Sequence, residues 1–395
     1  MMEFQHKRQQ WPVGHGFFHT ASVSVNGTTY RYVYDCGAAK KVTIEQQVDR
    51  YSKNEELENR PNELDMVVIS HFHADHIKGL PHLFSKFKVK KLVIPYLAKN
   101  FKLVALAHLA SSGPNVWTDL SGLVIDPADW LSRQDQDTEI VEIADEGGEP
   151  FDVPNIPNDG NGVSLGVGRV NHSSAGAIFS AKQAFWTFKF YVQNLPSIAI
   201  EIVQKLVDEF GCTEDQLQQN LENISWVEAN WQKVKDHFNK LGSNKQNATS
   251  LCMYSGTNDR LEFDLVRHSS SLGSCSCKYR YYYHWPSGIG WIGTGDAEFK
   301  DVNKTDAFVM HFGNLLDRTD TLTIPHHGSK DNYNARLGDI GVQHIITSDH
   351  IVDPKDHHPA SEVMTNLQTK SDHVHIVSLE ECTALFERFN GYLEI

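Results

Sequence analysis

Short apolar runs rich in β-branched and aromatic residues recur at 23–25, 30–34, 66–69 and 92–94, and again at 251–254, 289–292, 322–324, 344–347 and 373–377. Runs of this length, bounded by polar and turn-forming residues, predict strands. Behind the third run Ile77, Leu80, Leu83, Phe84 and Phe87 repeat at helical spacing, with Gly79 and Pro81 weakening only the first turn. Between about 100 and 245 the pattern changes. Acidic residues over 135–149 and turn formers over 150–168 read as a long irregular segment, beyond ordinary loop length and suited to an inserted lobe or a substrate cover. Ile198, Ile202, Leu206 and Phe210 then form an apolar stripe that Gly211 is placed to end. Thr213 with Gln216 opens a capping box for a helix carrying Leu217, Leu221 and Ile224, and the stripe runs on through Val227, Trp231, Val234, Phe238 and Leu241. The expected organisation is two half-cores, 1–100 and 247–395, separated by an insert over 101–246 that is irregular and then helical. Its stripes are expected to face a core, with a protein partner as the alternative occupant.

A chain of 395 residues with 40% hydrophobic content can bury a substantial core. The opening residues carry Glu3, Lys7 and Arg8 and no apolar leader, and no apolar run is long enough to span a bilayer. The expectation is a cytoplasmic protein without membrane contact. Cys36, Cys212, Cys252, Cys275, Cys277 and Cys382 are too scattered for a disulfide framework and read as reduced thiols. Cys275 and Cys277 lie near His268 and His284, but one Cys-x-Cys without a second pair reads as a polar hairpin before it reads as a zinc site. A formal charge of −14 argues against a broad nucleic-acid-binding face. The lysine-rich run 86–91 could guide a phosphate backbone, yet reads first as the solvated end of a helix.

Chemistry concentrates at His71-Phe72-His73-Ala74-Asp75-His76, directly after the apolar run 66–69. Alternation puts His71 and His73 on one side of the extended segment, and Asp75 and His76 follow as the chain turns into a helix. Such a strand-loop-helix context delivers metal ligands at a strand tip. Asp296, after the run 289–292 and beside Gly293 and Gly295, is the natural bridging carboxylate for a second ion.

The His-x-His-x-Asp-His loop resembles the signature of the metallo-β-lactamase fold superfamily. Further segments narrow the resemblance toward the hydrolase domain of ComEC/Rec2 DNA-uptake proteins and phosphorylcholine-esterase-like enzymes: Val13-Gly14-His15-Gly16 with Asp35-Cys36-Gly37, Asn247-Ala248-Thr249-Ser250-Leu251, Gly293-Thr294-Gly295-Asp296-Ala297-Glu298, Pro325-His326-His327-Gly328-Ser329 and His357-His358-Pro359. These matches cover residues near 13–97 and 247–380. The resemblance implies an α/β fold, a four-layer αββα sandwich with a large, partly helical insert. It implies His71, His73 and Asp296 on one ion and Asp75, His76, Asp296 and His327 on a second. Asp75, His326 and His358 are then the catalytic candidates, and Asn247, Ser250 and Ser329 the substrate-binding ones. Many relatives add a third histidine to the first ion where this chain has 247–251 without one; His172 is a candidate from the insert. An imidazole-rich shell suits two zinc ions, and fewer nitrogens open the way to manganese.

The implied function is metal-dependent hydrolysis by a metal-activated hydroxide, with a phosphodiester, nucleic acid included, as the favoured substrate. A carbonyl hydrolase (lactonase, thioesterase or β-lactamase-like) is the alternative enzyme. A degenerate scaffold that binds a protein partner through the insert is the non-enzymatic alternative. Stand-alone proteins resembling the DNA-uptake hydrolase also occur in antiphage defence, a role the resemblance leaves open.

Overall fold

Alternation along the strands sorts side chains into three apolar layers. The computed structural model describes residues 2–25, 27–144, 162–165, 170–171, 175–180, 183–241, 248–257, 266–271, 288–341, 343–349, 358–371 and 373–393. In strand Thr28–Cys36 the side chains of Tyr30, Tyr32 and Tyr34 face one way and Val33 the other; in Met66–Val68, Met66 and Val68 oppose Val67. The first set meets Trp186, Phe188, Phe190, Leu251, Met253 and Trp291 from a second sheet. Val33, Val67, Leu92 and Ile94 instead pack under helices that include Lys41–Leu57, Leu80–Lys86, Lys99–Ser111 and Pro196–Phe210. On the far side Cys252, Tyr254, Ile292 and Leu322 pack under Val302–Phe312 and Ser361–Lys370. Period-two strands with both faces buried thus make helix, sheet, sheet, helix, the αββα arrangement that the resemblance implies.

The first sheet runs Val170–Asn171, Glu139–Ile143, Lys91–Pro95, Met66–Val68, Thr28–Cys36, Phe18–Val25, Met2–Gln10, Leu385–Leu393, Val266–Ser271. The second runs His373–Val377, Gln343–Thr347, Thr319–Thr323, Gly290–Gly293, Thr249–Thr257, Gln183–Asn194, Ala175–Ser180, Gly162–Leu165. Thr28–Cys36, Met66–Val68, Lys91–Pro95 and Glu139–Ile143 pair in parallel, as do Gly290–Gly293, Thr319–Thr323, Gln343–Thr347 and His373–Val377. Loops at the carboxyl ends of parallel strands converge at one edge, where α/β sheets bind ligands.

Over 101–246 the described residues contribute both strands and helices. Strand Glu139–Ile143 extends the first sheet and Gln183–Asn194 lies inside the second, while helices Lys99–Ser111, Pro114–Ile125 and Pro127–Arg133 precede the stretch read as irregular, of which 145–161 and 166–168 lie outside the described residues. The later helices follow their sequence signals. Pro196–Phe210 ends at Gly211 in the left-handed region (φ 60°), and Thr213 and Gln216 close a reciprocal capping box. The lysines of 86–91 are ion-paired: Lys86 with Asp49, Lys88 with Asp135, Lys90 with Asp65 and Lys91 with Glu139. Cys36, Cys212 and Cys252 are free thiols. His172, Asn247, Cys275, Cys277 and His284 lie outside the described residues. Among the described residues no helix is long and apolar enough to cross a membrane.

One ion-pair cluster ties the sheets together. The fully buried Arg8 guanidinium donates to Glu387 at 2.6 Å within the first sheet, and to Asp320 at 2.6 Å and Thr321 at 2.8 Å in the second. Removing one partner of a buried pair typically costs about 3–5 kcal/mol, because the remaining charge stays buried. Arg8→Met should therefore lower the unfolding free energy by about that amount in urea titration; a loss below about 1 kcal/mol, the level of an exposed pair, would deny the cluster its inter-sheet role.

Candidate metal centre

The histidine loop is held by backbone bonds that leave it little freedom. Ile69 N donates to Val93 O at 2.9 Å, and Ser70 O accepts from Leu251 N of the second sheet at 2.8 Å. His73 stands at the N-cap of the short helix Ala74–Ile77, which places Asp75 and His76 in its first turn. Gly37 packs against this turn: a Cβ there would lie 2.1 Å from the Asp75 carbonyl oxygen, so only glycine fits. From the other half, Gly295 (φ 52°) turns the chain after Gly290–Gly293 and presents Asp296, whose N–H donates to Ser250 Oγ at 3.2 Å. His326 and His327 follow Thr319–Thr323, both with positive φ (48° and 56°). Left-handed backbone at two successive non-glycine residues is costly and concentrates at functional sites.

Two clusters result. One ligand atom each from His71, His73 and Asp296 lie within 4.8 Å of one another, and likewise from Asp75, His76 and His327. His71 Nε2 is 3.4 Å from Asp296 Oδ2, and His76 Nε2 is 3.3 Å from Asp296 Oδ1. His327 Nε2 is 3.5 Å from Asp75 Oδ2. Ligand atoms about 2.0–2.1 Å from one tetrahedral ion lie about 3.3–3.4 Å apart, so these separations suit cations between the groups. The Nε2 atoms of His71, His76 and His327 are buried and make no hydrogen bond among the described residues, a condition a bound cation relieves. Imidazole nitrogen with carboxylate oxygen is a zinc-type donor set.

The far side of most rings is fixed. Asp35, fully buried and at φ 54°, accepts from Ser70 N at 2.7 Å, Ser70 Oγ at 2.6 Å and His76 Nδ1 at 2.8 Å. Ser70 Oγ lies 2.9 Å from His71 Nδ1, and His327 Nδ1 lies 3.0 Å from the Thr347 carbonyl oxygen. Such contacts set the tautomer and aim Nε2 inward. Burial works against the Asp296 carboxylate, but His326, His76 and His71 pull its pKa well below the ordinary range. Asp75 behaves alike, with His76 and His327 overcoming desolvation. Burial disfavours charge on His76 too, yet Asp296, Asp35 and Asp75 raise it well above its usual value.

The remaining expected site residues divide. His326 reaches the centre: its Nε2 is 3.8 Å from Asp296 Oδ2, and its Nδ1 lies 2.7 Å from Asn332 Oδ1. The His358 ring lies 5.3 Å from that of His326 and 5.6 Å from that of His15. Ser250 and Ser329 sit in the turns beside the centre. Both are buried; Ser250 Oγ supports the Asp296 turn and Ser329 Oγ accepts from Asp331 N, so each hydroxyl closes its own loop. Sequence reasoning passed over the roles of Asp35, His15 and His108. The His15 ring lies 4.6 Å from that of His327, and His108 stacks on His73.

The sequence model of the family described as Metallo-beta-lactamase superfamily matches residues 15–172, the stretch containing the His71–His76 loop. No curated protein matches the sequence. Among solved structures the chain is similar to the metallo-beta-lactamase fold protein YhfI from Bacillus subtilis, at 11% identity and TM-score 0.36 over 94% of this chain and 96% of that one. It is also similar to unliganded yeast PDE1, at 11% identity and TM-score 0.39 over 98% of this chain and 99% of that one. Two facing sheets between helical layers, with the family match, make this a metallo-β-lactamase fold. The match supports a metal-dependent hydrolase in general terms.

Two outcomes follow for metal binding. Asp35→Asn should weaken Zn²⁺ affinity about 10–100-fold in chelator competition while circular dichroism stays unchanged; unaltered affinity would remove Asp35 from the centre. His76 is held protonated in the ion-free protein and must be neutral to ligate, so Zn²⁺ binding at pH 7 should release protons. Calorimetry in buffers of different ionisation enthalpy reads this directly, with affinity falling as pH falls; a buffer-independent heat would contradict it.

Proposed function

We propose that the chain is a two-ion metallohydrolase acting on phosphodiesters. The observation that carries this reading is Asp296, whose two oxygens face His71 on one side and His76 on the other, so that one carboxylate serves both clusters. Two bound divalent ions supply Lewis acidity and a nucleophile at neutral pH, and they suit an in-line displacement in which attacking and leaving oxygens both need stabilising. His71, His73 and Asp296 would hold one ion, and Asp75, His76, Asp296 and His327 the other.

The chain's own groups do the rest. Asp35, Ser70 and Thr347 keep three imidazoles oriented before substrate arrives. Asn332 accepts from His326 Nδ1, which leaves Nε2 directed at the centre to take or give a proton at the leaving oxygen. His15 and His358 edge the same space and offer ring nitrogens to phosphate oxygens. With the lysine run ion-paired and a formal charge of −14, a long duplex held on a cationic face fits poorly. A short or single-stranded phosphodiester fits better, and the DNA-uptake-like motif set makes single-stranded DNA the first natural substrate to try.

Turnover of bis-p-nitrophenyl phosphate, single-stranded DNA and nitrocefin with added Zn²⁺ or Mn²⁺ tests the reading. Phosphodiester cleavage is expected, and Asp75→Ala, His76→Ala and Asp296→Asn should each cut kcat/KM about 100-fold or more with the circular dichroism spectrum retained. Nitrocefin turnover without phosphodiester turnover would move the chain to the carbonyl hydrolases, and full activity in any variant would refute its assignment.

A further inference from the structure

The histidines of the two clusters are not held alike. His71, His76 and His327 each have a polar partner on Nδ1, from Ser70, Asp35 and Thr347. The His73 ring has no such partner among the described residues; it lies face to face with that of His108, centroids 3.5 Å apart and planes 9° from parallel. His108 belongs to helix Lys99–Ser111, which packs against Pro196–Phe210 and Ile224–Leu241. Phe238 of the last helix meets His108 edge-on at 5.3 Å and 71°. An ordered stack therefore runs from the helical layer to the first cluster, the one without a third histidine over 247–251.

Parallel rings 3.5 Å apart cannot both hold one ion in their planes, so His108 in this arrangement is a wall and not a ligand. A flat wall against His73 fixes its ring orientation, the task hydrogen bonds perform for the other three.

Resting on the two-ion reading above, we propose that His108 is a positioning residue for His73, through which the helices over 99–111 and 224–241 set the affinity of the first ion independently of the second. His108→Phe keeps a flat ring at this position, whereas His108→Leu fills similar space without one. Zn²⁺ titration by calorimetry, metal analysis of the purified protein, and Co²⁺ absorption spectra on wild type and both variants provide the test, with thermal unfolding on the same preparations. The wild type should bind two ions. His108→Leu should retain one at wild-type affinity, bind the other about tenfold or more weakly and lose part of the Co²⁺ signal, while His108→Phe restores both.

Two ions bound by His108→Leu with wild-type affinity would overturn the proposal alone. Equal loss in His108→Phe and His108→Leu would also overturn it, because the lost nitrogen and not the flat face would then be responsible. A wild type that binds no divalent ion would instead sink the two-ion reading, and the proposal with it.

Discussion

A buried carboxylate must be reached at once by imidazoles carried on both halves of the chain, and the rest of the architecture follows from that requirement. Asp296 leaves the second sheet after Gly290–Gly293, while His71 and His76 leave the first after Met66–Val68. Bringing them within 3.5 Å requires the sheets to be in register at this edge. The bonds that enforce it are local: Leu251 N to Ser70 O at 2.8 Å, and Tyr34 Oη to Leu251 O at 2.6 Å. Arg8 does the same between the sheets through Asp320 and Glu387.

Burying this much charge is unfavourable unless it is compensated. The carboxylates of Asp296, Asp35 and Asp75 around His76 favour its charged form against burial. A divalent ion held here would displace a proton from His76 and would give the buried Nε2 atoms of His71, His76 and His327 a partner. The site is thus organised for ions by the same contacts that stabilise the ion-free fold.

Much of this was legible from periodicity and motif. The run 66–69 ending in the histidine loop, the Gly211 helix end and the Thr213–Gln216 capping box are local signals, and the structure follows each of them. Other strands escaped, and three of them show why. Met2–Gln10 carries His6, Arg8 and Gln10 inward, so it lacks the apolar alternation of a core strand; its polar groups have partners only in the folded state. Glu139–Ile143 sits in an acidic stretch that masks its three branched residues. Gln183–Asn194 does alternate, with Trp186, Phe188, Phe190 and Val192 buried, but lay inside a region already read as an insert. The site divided similarly. Metal-type residues could be named from spacing, whereas the parts played by Asp35, Asn332 and His108 depend on neighbours 41, 6 and 35 positions away, and the burial of Ser250 and Ser329 depends on how their loops close.

The most direct test of the central claim is a crystal structure of the Zn²⁺-loaded protein with anomalous difference maps at the zinc edge. The account predicts two peaks flanking Asp296, each touching one of its oxygens, one shared with His71 and His73 and the other with Asp75, His76 and His327. A single peak away from Asp296, or ions bound only elsewhere on the surface, would contradict it.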